Sequence, residues 1–299
     1  MLSILIPIYN INCRGLVANL LLQCSEILKK YEVICIDDHS EDFFRNRNNT
    51  LQTLENVTYI ELHENIGRAA IRNLLAEKAK YENLLFIDAD SGIIRDDFIK
   101  KYLIYGNKEK VIYGGTEYQK NCPQDKSKIL HWKYASQYEA LRIQARIKKP
   151  FLAFMSNNFL IKKDIFMSVL FDTEHFGYGY EDTLFAEEIR KHSLSICHID
   201  NPVEHTGLAT ADKFLSKSDE AMKNLARIYI SGKMPETSLI RFYLILKKSK
   251  LDKFTAILIR QFLAILKWNL KSDYPILILF QLYKYFRFWN YLNAGQLTG

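Results

Sequence analysis

The sequence predicts an α/β fold: a mixed, mostly parallel sheet flanked by helices, with a helical C-terminal extension. Three observations predict it. Short apolar runs alternate with stretches of helical periodicity over the first ninety residues or so, the pattern of successive β-α-β units. The runs are apolar at nearly every position, as strands covered on both faces require. Beyond residue 237 the chain turns helical, apolar and basic.

The elements follow in order. SILIPI (3–8) reads as the first strand and 16–28 as the first helix. EVICI (32–36) is the second strand, followed by a polar turn and a short helix. VTYIEL (57–62) is the third strand, 67–80 a helix and NLLFI (83–87) the fourth strand. VIYGG (111–115) reads as a strand ending in glycines, and 127–148 as one long helix. FLAFM (151–155) and FLIKK (159–163) read as two strands joined by Ser156, Asn157 and Asn158. A glycine-aromatic loop, HFGYGY, leads into a helix at about 183–191, then the strand SICHI (195–199) and a helix over 212–230. SGKMPET (231–237), with Gly and Pro close together, is the best linker.

Composition narrows the class. The 299 residues are 48% hydrophobic, which suits a large domain with an appendage and excludes a disordered chain. Five scattered cysteines with no C-x-x-C pair suggest a reducing compartment and neither a disulfide framework nor a zinc site. MLSILIPIYN has no basic residue before its apolar run, so no signal peptide is expected. No window reaches the roughly 18 apolar residues of a spanning helix. The net charge of +7 sits in the tail: residues 241–299 hold ten Lys or Arg against two Asp or Glu. Those cations interleave with Phe, Tyr, Trp, Leu and Ile. That mixture fits a helical bundle, or an anionic membrane surface, better than nucleic acid.

In open parallel sheets, ligands bind beyond the carboxyl ends of the strands. Pro7, Tyr9 and Asn10 follow the first strand, and Asp37, Asp38 and Ser40 the second. His63, Glu64 and Asn65 follow the third and lead to Gly67 and Arg68; Asp88 and Asp90 follow the fourth. Loop solvation alone would not favour carboxylate pairs at two of four strand ends. The repulsion between Asp88 and Asp90 is relieved if a hard divalent cation binds there, although Asp90 or Ser91 capping a helix is the plainer reading. Arg68 and Arg72 lie one helical turn apart, suited to phosphate or a base, or to ordinary ion pairs on a solvated face. Glu181 and Asp182 open a helix, where carboxylates are favoured electrostatically in any case.

The motifs SILIPIYN, VICIDDHSED, NIGRAAIRN, LLFIDADSG and GYGYEDTLFAEEI, in this order across about residues 1–210, resemble the family 2 glycosyltransferases with the Rossmann-like GT-A fold. The resemblance implies a GT-A catalytic domain over 1–230, with a nucleotide-binding half (1–110) and an acceptor half (111–230), and a separate helical tail over 237–299. It implies an inverting transfer from a nucleotide-diphosphate sugar, a UDP-sugar, to a hydroxyl of a glycan or lipid-linked acceptor. Pro7 and Tyr9 would line the base pocket, and Asp37 and Asp38 would contact base and ribose. Asn65, Gly67, Arg68 and Arg72 would lie beside the nucleotide. Asp90 would bind Mg²⁺ or Mn²⁺ on the diphosphate, with Asp88 on ribose or metal. Several relatives place a histidine ligand where His205 stands, and an imidazole suits Mn²⁺. Asp182 would be the general base and Glu181 would orient the acceptor or the base. Tyr178 and Tyr180 would stack on sugar rings or simply pack. His198, inside a strand, is expected in the core.

The family's Q-x-x-R-W motif and multiple spanning helices are absent from the sequence, which argues for a single transfer rather than processive synthesis. The expected place of work is the cytoplasm, peripheral to the inner face of the plasma membrane. Two other readings stay open. One is an inactive nucleotide-sugar-binding or membrane scaffold protein. The other is a sugar nucleotidyltransferase, disfavoured because IPIYNINCRG offers only Arg14 and Gly15 for a phosphate loop.

Overall fold

The computed structural model describes residues 1–174 and 177–293. The first strands and helices arrive as the periodicity predicts: β1 (Leu2–Ile8), α1 (Arg14–Ile27), β2 (Tyr31–Asp37), α2 (Asp42–Asn48), β3 (Val57–Glu61), α3 (Gly67–Lys78) and β4 (Asn83–Ile87). Shorter pieces follow: β5 (Ser91–Ile93), α4 (Phe98–Gly106), β6 (Val111–Tyr113), β7 (Thr116–Glu117), α5 (Ile129–Tyr138) and α6 (Ile143–Lys148). Next come β8 (Asn158–Lys162), α7 (Lys163–Val169), α8 (Glu181–Lys191), β9 (Cys197–His198) and β10 (Val203–His205). The rest is helical: α9 (Ala211–Ile230), α10 (Ser238–Lys248), α11 (Asp252–Gln261), α12 (Leu263–Leu270) and α13 (Leu277–Leu292).

The main sheet has the order β3-β2-β1-β4-β8-β6-β9. Only β8 runs against its neighbours; every other pairing is parallel. Side chains alternate across a strand, so β1 feeds two separate cores. Leu2, Ile4, Ile6 and Ile8 enter one, and Leu5 enters the other with Ile34, Ile36 and Phe86. Both faces of the strands are buried in these clusters, which explains why the strand runs read as continuous apolar stretches. β1 and β2 pair in register from Leu2 opposite Tyr31 to Ile8 opposite Asp37, so their polar ends lie side by side. A second sheet, β5-β10-β7, is small and pairs His205 with Ser91. Nothing in the sequence pattern announced it, because strands of two or three residues leave no periodicity to read.

Two sequence expectations are corrected. The helix read over 127–148 is broken into a 3-10 turn (Lys126–Lys128), α5 and α6. The break lets the buried guanidinium of Arg146 reach the carbonyls of Gly114 (3.2 Å) and Ile199 (2.9 Å). A Cβ on Gly115 would lie 2.7 Å from Arg146 Nη2, and Gly115 has φ +104°, so glycine is required at that corner. FLAFM is not a strand but a run of turns, although its Ala153 and Phe154 are still buried. The segment Ser156–Asn158 is therefore not a hairpin turn. Asn158 starts β8, buried, and accepts a 2.6 Å hydrogen bond from Tyr102.

The chain forms two compact units. One comprises Met1–Tyr118, Glu139–Thr173 and Leu184–Gly207, and the other Gln119–Tyr138, Glu174–Thr183 and Leu208–Gly299. The second unit is built on α9, whose Met222, Leu225 and Ala226 share a core with Ile240, Ile259, Phe288 and Trp289. α5 joins through Leu130, against Leu215 and Phe280. Arg287 forks onto the Asp219 carboxylate, tying α13 to α9. Residues 231–237 link α9 to α10 within this unit, without helix or strand. All five cysteines are free. Among the described residues no helix is long and apolar enough to cross a membrane.

Candidate active site

The first unit collects polar groups where β1, β2 and β4 end. At the β1 end, Tyr9 exposes its ring (57%) and Pro7 is half-buried. The Asn10 backbone N–H donates to Ser40 Oγ at 2.7 Å, and Asn10 Oδ1 accepts from the Glu41 N–H at 2.8 Å. These two bonds bind the β1 and β2 ends together.

At the β2 end both carboxylates are buried. Asp37 accepts from the Ser40 N–H at 2.7 Å, with the Tyr59 hydroxyl at 3.4 Å. Asp38 accepts from the backbone N–H groups of Ile66 (2.7 Å) and Gly67 (3.0 Å). Its carboxylate thus caps α3 from another strand, and satisfies donors that a helix start leaves orphaned. Burial pushes the Asp38 carboxyl above its ordinary value, against these two hydrogen bonds. Asn65 Nδ2 donates to the Asp38 carbonyl at 3.0 Å, closing the same loop.

At the β4 end the partners are cations. Arg72 Nη2 donates to Asp88 Oδ1 at 2.5 Å and Arg68 Nη2 to Asp88 Oδ2 at 3.1 Å. The one-turn spacing read from the sequence does put both arginines on one carboxylate. Yet Arg72 is only 1% exposed, with a second bond to the Arg68 carbonyl (3.0 Å) and the Phe171 ring 5.7 Å away. It is an internal strut, whereas the Arg68 side chain is 43% exposed.

Asp90 points differently. Its Oδ2 lies 3.3 Å from His205 Nδ1. The antiparallel pairing of β10 with β5 causes this, because it sets His205 opposite Ser91. The Asp90 carbonyl accepts from both the N–H (3.0 Å) and the hydroxyl (2.8 Å) of Thr206, which fixes the turn. Burial pushes the Asp90 carboxyl up, but the His205 hydrogen bond and the charges of His205 and Arg68 prevail and hold it below its usual value. His205 moves the opposite way: burial lowers it, and Asp90 more than restores it. A Cβ at Gly207 would stand 3.0 Å from Asp90 Oδ2 and 3.3 Å from the His205 ring, so any larger residue there would crowd the pair.

Among the described residues no group of three or more His, Cys, Asp or Glu could hold a metal by itself. One carboxylate and one imidazole, both partly exposed, are donors that fit a cation taking its other ligands from a bound diphosphate.

Several residues around this site escaped the sequence. Tyr118 packs edge-on to the His205 ring at 5.2 Å and donates to Glu139 at 2.5 Å. Glu139 lies in the break between α5 and α6, where the sequence read continuous helix. Asn157 accepts the Asp88 N–H at 3.0 Å and donates to Thr116 at 2.7 Å, bracing the turn after β4. His198 is buried as expected, with Nε2 3.0 Å from the Pro150 carbonyl.

Glu181 and Asp182 belong to the second unit and open α8. Asp182 Oδ1 is buried without a hydrogen-bond partner among the described residues. The loop before them is held by Asn224, which donates to the Gly179 carbonyl at 2.8 Å. Gly179 (φ +93°) must be glycine, since a Cβ would meet that of Ala221 at 2.7 Å. Tyr180 adopts φ 71° and packs against the second unit's core, which favours the packing reading of that ring. Tyr178 has Lys217 Nζ 5.6 Å from its ring. His175 and Phe176 of the HFGYGY loop lie outside the described residues.

A mostly parallel sheet with one reversed strand, flanked by helices, has the architecture of the GT-A fold. The sequence model of glycosyl transferase family 2 matches residues 3–170, and the chain belongs to that family. An uncharacterized glycosyltransferase of Haemophilus influenzae is 32% identical over 102 residues, covering 34% of this chain and 40% of that protein. This chain therefore aligns with less than half of that relative. The fold is shared with the mannosyltransferase PcManGT from Pyrobaculum calidifontis, solved with GDP-Man and Mn²⁺ (TM-score 0.55, 15% identity, 78% of this chain and 65% of that one). It is shared also with residues 1–349 of S. aureus TarS, solved with UDP (TM-score 0.51, 15% identity, 100% and 92%).

Proposed function

We propose that this chain transfers a sugar from a nucleotide-diphosphate sugar, a UDP-sugar, to a hydroxyl of a glycan or lipid-linked acceptor, with inversion. The observation that carries the reading is the Asp90–His205 pair, 3.3 Å apart, with both side chains partly exposed. Asp90 and His205 would hold Mg²⁺ or Mn²⁺, which when bound neutralises charge on the departing diphosphate. Tyr9 and Pro7 offer a flat, partly apolar surface to the base, beside the rigid β1–β2 ends. Asp37 and Asp38 shape that surface through the backbone turns they hold. Arg68, whose side chain is 43% exposed, would also meet phosphate.

Asp182 is the proposed base, with Glu181 orienting it or the acceptor. Its buried, unbonded oxygen suits an atom that accepts a proton from the acceptor hydroxyl. The acceptor oxygen bonds to the anomeric carbon as the bond to the phosphate oxygen breaks. The proton goes to Asp182 and the nucleoside diphosphate leaves. One displacement inverts the centre, so no carboxylate nucleophile is needed.

A thermal-shift panel of nucleotide sugars with and without Mn²⁺ tests this reading, because a ligand of the native state raises its stability by mass action. The two solved relatives carry UDP and GDP-mannose, so the panel includes both bases. A shift that needs Mn²⁺ and vanishes in Asp90→Asn supports the reading. No shift with any nucleotide overturns it. Asp182→Asn should keep the shift and lose transfer.

A further inference from the structure

Helices α11 and α12 carry two apolar stripes on opposite sides. The inner one, Ala256, Ile259, Leu266 and Leu270, is buried in the second unit's cores. The outer one, Leu251, Phe254, Leu258, Ile265 and Trp268, recurs at helical spacing and faces solvent. Phe254 is 65% exposed, Ile265 60% and Trp268 73%. Tyr274, just beyond α12, is 83% exposed. Helices of a soluble domain bury one stripe; a second exposed stripe of large side chains marks a surface that is covered in use.

Charge says what covers it. Lys253, Arg260, Lys267 and Lys271 recur every seven or four residues, so they fall on one flank of the outer stripe. Residues 238–271 contain eight Lys or Arg and a single acidic residue, Asp252. Asp252 is engaged inward, its carboxylate accepting from Trp289 Nε1 at 3.1 Å and its carbonyl from the Tyr285 hydroxyl at 3.1 Å. An apolar stripe flanked by cations matches a bilayer surface, with acyl chains below and anionic headgroups above. Lys and Arg stems reach upward from such a stripe, and exposed Trp and Tyr rings settle at the headgroup level. Lys271 is paired with the exposed Asp212, which leaves Lys253, Arg260 and Lys267 as the flank's other cations.

We infer that the outer face of α11 and α12 docks on an anionic lipid bilayer by shallow insertion of Phe254, Ile265 and Trp268. This inference stands apart from the transfer chemistry, since its test measures no sugar transfer.

The test is co-sedimentation of the full chain with phosphatidylcholine vesicles, with and without phosphatidylglycerol. Binding is expected only with the anionic lipid, and is expected to weaken with added salt. Lys253→Gln, Arg260→Gln and Lys267→Gln should each lower the partition coefficient about fivefold. The triple variant Phe254→Ser, Ile265→Ser, Trp268→Ser alters only exposed side chains, so its circular dichroism should match the parent while vesicle binding is lost. Tryptophan emission should shift to the blue on binding, and that shift should vanish in Trp268→Phe while binding remains. Equal binding to neutral and anionic vesicles, or unimpaired binding by the triple serine variant, would overturn the inference. So would self-association by sedimentation velocity that the serine variant abolishes, without any vesicle binding, because the face would then be an interface between copies.

Discussion

The carboxylates that end β2 and those that end β4 sit at the same edge of one sheet, yet they face opposite partners. Asp37 and Asp38 spend their oxygens on backbone N–H groups and a hydroxyl. Asp88 and Asp90 face two guanidinium groups and an imidazole. The difference teaches that a carboxylate pair is a site only in its partner set. The β2 pair fixes loops that shape a surface. At β4, Asp88 is locked by two arginines, whereas Asp90 is the more exposed and meets an imidazole.

The sharpest way to break this comparison is to remove the charge that faces the imidazole. Asp90→Asn should lower transfer by about 10²–10³-fold, the scale of losing one electrostatic stabiliser. A radiolabelled-donor assay reads it. A loss as large in Asp37→Asn as in Asp90→Asn would erase the distinction drawn here. The next effect is on stability. Arg72→Met leaves Asp88 without its buried partner and should cost about 3 kcal/mol in urea unfolding, whereas exposed Arg68→Met should cost less than about 1 kcal/mol. Adding Asp88→Asn to Arg72→Met should recover part of the loss. Equal costs for the two arginines would mean that Arg72 is no strut.

The sequence made this edge legible because the strands leading to it are buried on both faces. The ends of β2 and β4 are marked by the switch from Ile to Asp, and the β1 and β2 ends are bonded to each other, with β4 paired beside β1. Partner choice was not legible. Nothing in VICIDDHSED says that Asp38 will cap a helix nearly thirty residues later, because that contact depends on where β2 and α3 end in space. The α5–α6 break was hidden for a similar reason. Residues 127–148 have sound helical periodicity, and the carbonyls that Arg146 reaches across the break, those of Gly114 and Ile199, lie far away in sequence. The sheet β5-β10-β7 was invisible, so His205 could be suspected by resemblance but not seen beside Asp90. The mixed tail, by contrast, announced its composition but not which apolar stripe would face outward.

A smaller effect belongs to the cap itself. Asp38→Ala removes the acceptor of two backbone donors and should cost about 1–2 kcal/mol, with Asp38→Asn losing less because one acceptor oxygen remains. Matched urea curves check it. If Asp38→Ala left stability intact while abolishing donor-induced thermal shift, Asp38 would belong with Asp90 instead.

The smallest effect separates two histidines seven residues apart. Asp90 raises His205, while burial, aided by the charge of Arg146 and opposed by the Pro150 carbonyl, pushes His198 down from 6.5 to about 4. The unfolded chain therefore protonates His198 near 6.5, and the folded chain only near 4. Between those values the unfolded state binds more protons, so stability rises with pH across the window. The contribution is complete above 6.5 and fades as the pH falls toward 4. In His198→Gln the urea midpoint should fall less steeply over that window than in the parent, although the variant is weaker at neutral pH. Identical slopes would show that His198 is not held neutral in the fold. The buried brace and the site histidine could then no longer be told apart by what surrounds them.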